Sequence, residues 1–100
     1  MGHRPEVAFT GEGYGWKQGI RSSDSIGANI AEGSGRGSLM DNRRFARVAR
    51  GSLYETKHWL RRAYQRKLLT TKQIELLRSI IDDLTRTLNG YIRSLNPTKP

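Results

Sequence analysis

The chain has 100 residues, a formal charge of +9 at neutral pH and no cysteine. That length allows one small domain with a modest core, and the missing thiols exclude disulfide frameworks, thiolate metal sites and cysteine nucleophiles. No apolar run approaches the ~18 residues that cross a bilayer, and the N-terminus lacks a signal-peptide layout, so the expectation is a cytoplasmic protein without a membrane role.

Residues 1–15 hold Pro5, Gly11, Gly13 and Gly15 without a sustained period and read as coil. Residues 17–32 turn helical, with Trp16, Ile20, Ser23, Ile26 and Ile30 along one side. Beside them run Gly19, Ser23, Gly27 and Ala31, each four apart, a ridge on which another helix is expected to sit closely. The second helix is expected over 39–66, with Ser38 and Asp41 placed for a capping box. At 100° per residue, Phe45, Ala49, Ser52, Thr56, Trp59, Leu60 and Ala63 share one face. Arg43, Arg47, Arg50, Lys57 and Arg61 share the opposite one, with Tyr54 among them. The third helix, 71–95, carries a heptad seam of Ile74, Leu77, Ile81, Leu84, Leu88, Tyr91 and Leu95. Thr70 and Gln73 suit a capping box, Leu69 and Ile74 a staple across it, and Asp82 and Arg86 an i,i+4 pair. Asn96-Pro97 ends this helix and 96–100 form a tail. No strand pattern occurs, and the short connections make neighbouring helices antiparallel. The expected fold class is all-α, an antiparallel bundle of three helices in one domain spanning 1–100.

The charge is concentrated. Residues 36–67 hold ten basic and two acidic side chains, a net +8, whereas residues 1–35 come to −1 and residues 68–100 to +2. Such a block points to a polyanionic partner, against the plainer alternative of a solvated face. The residues expected to carry binding are Arg36, Arg43, Arg44, Arg47, Arg50, Lys57, Arg61 and Arg62.

GSGRGS at 33–38 invites comparison with phosphate-binding loops. A dinucleotide fingerprint needs G-x-G-x-x-G after a strand, and a Walker loop needs Gly-Lys-Ser/Thr. Neither is present. Gly33 is expected to end the first helix in a left-handed position, Gly35 and Gly37 to turn the chain, and Ser38 to start the next helix.

The strings SDSIGANIAEGSGRGS, RFARVARGSLYE and LNGYIRSL, with Glu12, Tyr14, Gly15, Gln18 and Arg21 upstream, resemble the four-helix-bundle family of 23S rRNA intervening-sequence proteins. The resemblance covers residues 12–95. Its most specific part is N-I-A-E-G-x-G-R, with Asn29, Glu32, Gly33, Gly35 and Arg36. It implies a small basic four-helix protomer that assembles into a ring-like pentamer, with no enzymatic activity established. A similar fold serves as the accessory protein of diversity-generating retroelements, beside a reverse transcriptase and nucleic acid. The family begins with a long helix before the E-x-Y-G segment. Here eleven residues precede Glu12, so the first helix is expected to be missing and an apolar groove to be left exposed, favouring oligomers.

Catalysis finds little support. His3 and His58 are far apart in sequence, and Asp82 and Asp83 project about 100° apart. Glu32 is expected to pair with Arg36 or Arg43. No catalytic residue, metal site or cofactor is assigned. The expected function is non-enzymatic binding of nucleic acid, RNA favoured. The alternative is an oligomeric scaffold that docks an acidic protein.

Overall fold

In a computed structural model, which describes residues 11–96 and side chains from residue 15, the chain forms three helices. They are α1 (Gly11–Ser34), α2 (Leu39–Gln65) and α3 (Thr71–Ser94), with no strand among the described residues. The class is all-α. The coil expected at 1–10, His3, and residues 97–100 of the tail lie outside the described residues.

The first helix begins earlier than its glycines suggest. Residues 11–15 are helical, not coil. Gly15 is buried, and a Cβ there would stand 3.4 Å from the Trp59 ring; one at Gly19 would stand 3.3 Å from the Trp59 Cβ. Close packing on α2 thus overrides the poor helix propensity of glycine. The expected small-residue ridge is also rotated. Gly19 meets α2, but a Cβ at Gly27 would meet nothing within 4 Å. The seam on α2 is polar. Ser25 and Ser52 hydroxyls lie 2.9 Å apart, and Thr56 Oγ1 is 2.8 Å from both Ser22 Oγ and the Ser52 carbonyl.

The connections are built by local chemistry. Ser38 Oγ accepts the Asp41 N–H at 3.0 Å and caps α2, but only this half of the expected capping box is formed, the Asp41 carboxylate pairing with Arg44 instead. Lys67 has φ 63°, and the N–H groups of Lys67 and Leu68 donate to the carbonyls of Tyr64 and Ala63. This is a Schellman turn closed by lysine rather than glycine. Thr70 and Gln73 form both halves of the capping box on α3.

α2 is the central element. Both α1 and α3 pack on it, and no Cα of α1 comes within 8 Å of α3. On α2, the residues turned to α1 (Phe45, Ser52, Thr56, Trp59) and those turned to α3 (Asn42, Arg50, Lys57) lie roughly a third of a turn apart. The axes of α1 and α3 therefore stand about 120° apart around α2, with a gap between them. The α2 core residues are Ala46, Ala49, Leu53, Thr56 and Ala63. The expected face missed Ala46 and Leu53 and was about 40° off, because it followed the α1 contact alone. On α3 the heptad seam divides. Ile74, Ile81, Leu88 and Leu95 are buried, joined by Ile92, while Leu84 is 44% exposed. The expected Asp82–Arg86 pair is not formed. Asp82 faces α2 and pairs with Lys57 at 3.4 Å, leaving Arg86 to Asp83.

Candidate nucleic-acid interface

The α1–α2 corner is tightly packed around Gly33. Gly33 is helical, and no glycine among the described residues has positive φ, so the expected left-handed ending is not adopted. Glycine is required there by proximity. A Cβ would lie 2.8 Å from Phe45 Cβ and 2.9 Å from Asn42 Oδ1. Phe45, pressed on Gly33, carries the Arg36 guanidinium 4.9 Å and the Arg44 guanidinium 4.7 Å from its ring centre, both within cation–π range. Arg36 also pairs with Glu32 at 2.8 Å, as the sequence suggested. Asn29 turns away from Glu32 and donates to the Ser25 carbonyl and hydroxyl. The motif residues Glu32, Gly33 and Arg36 thus brace this corner, Asn29 bonds one turn back along α1, and Gly35 donates to the Ala31 carbonyl at 3.2 Å.

The cationic side chains do not form one stripe. Arg50 donates to Asn89 Oδ1 at 2.8 Å and Lys57 pairs with Asp82, so both are engaged by α3. Arg61 lines the crevice between α2 and α3 with Glu75 and Arg78. Arg62 lies on the other side, beside Trp16 and Trp59. What remains together is Arg43, Arg44 and Arg47, which surround a shallow concavity of about 500 Å³ with Met40, Asp41 and Val48. Arg44 is 3.5 Å from Asp41, while Arg43 and Arg47 form no ion pair with an acidic side chain among the described residues. Met40 is 71% and Val48 47% exposed in the middle of this charge. Sequence reasoning passed over these two. Their positions outside the apolar stripe of α2 were the available signal.

Among the described residues, no group of three or more His, Cys, Asp or Glu side chains is placed to hold a metal. His58 stands edge-on to Trp59, ring centres 4.8 Å apart. Asp82 and Asp83 serve separate ion pairs. No described helix is long and apolar enough to cross a membrane.

Fold and surface together define a small cationic helical-bundle protein whose charge gathers at one interhelical corner. The family model of the 23S rRNA-intervening sequence proteins matches residues 12–90. The chain belongs to that family, which is not known as an enzyme family. No curated protein and no solved structure gives a match.

Proposed function

We propose that the chain binds structured RNA through the outward face of α2 at the α1–α2 corner. The observation that carries this reading is the pair Arg43 and Arg47, which form no ion pair among the described residues, beside Arg44 and the Arg36–Phe45 stack. Guanidinium groups take phosphate oxygens in a two-pronged geometry that an ammonium cannot copy. No row of aromatic platforms accompanies them, so binding is electrostatic, tolerant of sequence and weakened by salt. Changing Arg43, Arg44 and Arg47 to glutamine should lower the slope of log affinity against log salt by about two to three phosphate contacts, at ~0.7–0.9 per contact. Fluorescence anisotropy with a labelled hairpin RNA measures this. An unchanged slope and affinity would reduce the cluster to a solvated face.

A second reading rests on Met40 and Val48. Arginine and methionine together, with few acids or lysines, are typical of protein interfaces, so the same face suits an acidic protein partner. The resemblance to retroelement accessory proteins points the same way. Met40→Ala with Val48→Ser separates the two: RNA affinity is retained under the first reading, whereas docking of an acidic protein is lost under the second.

A further inference from the structure

Past the arginine cluster, the outward face of α2 carries a patch that the fold itself does not use. At 100° per residue, Arg47, Gly51, Tyr54 and His58 fall within about 60° of one another, turned away from the sides that hold α1 and α3. All four are exposed, Tyr54 to 49%. Gly51 is the one glycine of α2, and a Cβ there would meet nothing within 4 Å. It gives up helix propensity with no packing return inside the molecule. Tyr54 is idle in the same sense. Its ring enters no aromatic or cation–π contact, and its hydroxyl no hydrogen bond, among the described residues.

A glycine on a helix surface leaves a notch floored by backbone, which admits the close approach of a ligand. The walls of this notch are specific. Arg47 stands one turn before Gly51, Tyr54 one turn after it and His58 a turn further on. Successive neighbours at i,i+3 and i,i+4 lie ~5–6 Å apart at Cβ. Glu55 stands one turn after Gly51 on the side away from Arg47, so its carboxylate turns an anion towards the arginine side. A flat ring with a negative charge at one edge suits these surroundings, and a nucleotide has that form. We infer that the notch takes an unpaired nucleotide of the bound RNA, its base over Gly51 and against the Tyr54 ring, His58 beside it, and its phosphate on Arg47. A paired base inside a duplex has both faces stacked on its neighbours, so the site selects RNA with a loop, bulge or free end. This rests on the reading that the outward face of α2 binds RNA, and narrows it from structured RNA in general to structured RNA carrying unpaired nucleotides. A single platform does not read sequence, because every base offers a π-face.

Fluorescence anisotropy with two labelled RNAs of equal phosphate number, a hairpin with an unpaired loop and a blunt, fully paired duplex, tests the inference. The parent is expected to bind the hairpin about five- to hundredfold more tightly, the effect of stacking one base on an aromatic ring. Tyr54→Ala should abolish that preference while shifting the slope of log affinity against log salt by less than about one phosphate contact, because the ring carries no charge. Tyr54→Phe should keep the preference, since the ring is what stacks. Gly51→Leu favours the helix but fills the notch, so hairpin affinity should fall several-fold and duplex affinity stay. Circular dichroism checks that each variant remains helical. Equal binding of the two RNAs by the parent would overturn the inference without any variant. So would a preference that survives Tyr54→Ala, one that is lost with Tyr54→Phe, or hairpin affinity unmoved by Gly51→Leu. The wider reading fails by a different result, an unchanged salt slope when Arg43, Arg44 and Arg47 become glutamine. Only the absence of all RNA binding at low salt would remove both.

Discussion

At the scale of single residues, the glycines of α1 look alike in sequence and differ completely in surroundings. Gly33 faces Phe45 Cβ and the Asn42 backbone, atoms held close to the main chain that cannot swing aside. Gly33→Ala is therefore expected to destabilise by about 1–3 kcal/mol through overpacking. Gly27→Ala, into open space, should stabilise by up to ~1 kcal/mol through helix propensity. Urea titration of the two variants checks the contrast, and equal shifts would mean that the two sites are not distinguished by packing. Lys67 offers a third case. Its φ of 63° strains a side chain bearing a Cβ, so Lys67→Gly should raise stability by roughly 0.5–1 kcal/mol. A loss on this change would show that the lysine stem contributes more than the backbone strain costs.

At the scale of elements, a heptad seam reports two neighbours and periodicity names only one. The row Ile74, Ile81, Leu88 and Leu95 is buried, whereas Leu84, though in perfect heptad register, is 44% exposed at the groove. Ile81→Ala and Leu88→Ala are expected to cost about 2–5 kcal/mol, as for fully buried aliphatic truncations. Leu84→Ala should cost about 1 kcal/mol, less than either, since nearly half of that side chain is already exposed. Chemical denaturation at low protein concentration tests this, and a large loss at Leu84 would place that side chain in a covered core. The sheer length of the α3 pattern and its complete capping box made this helix easy to read in the sequence. α1 was harder, because its N-terminal turns are glycine-rich and rest on Trp59 for their stability.

At the scale of the whole molecule, the central place of α2 decides which charges remain free. α3 takes up Arg50 and Lys57 through Asn89 and Asp82, and Arg61 and Arg62 fall into separate crevices, one against each flanking helix. Arg50→Gln with Lys57→Gln is accordingly expected to leave the salt slope of RNA binding within about half a phosphate contact of the parent. A fall as large as that caused by the Arg43, Arg44 and Arg47 changes would restore the continuous stripe that helical spacing alone suggests.

Local patterns along the chain specify the three helices to within a residue or two at most ends, the Ser38 cap, the Thr70–Gln73 box, the Glu32–Arg36 pair and the placing of the charge on the second helix. These depend on neighbours three or four positions apart, which periodicity reports directly. Packing between helices is what makes Gly33 serve proximity rather than a left-handed turn, puts Ala46 and Leu53 at the centre of the core, and keeps α1 and α3 apart across a groove. Each of these depends on where a second helix lies around the first. A helical wheel gives the direction of every side chain on its own axis but carries no angle between axes, and that angle is set by packing.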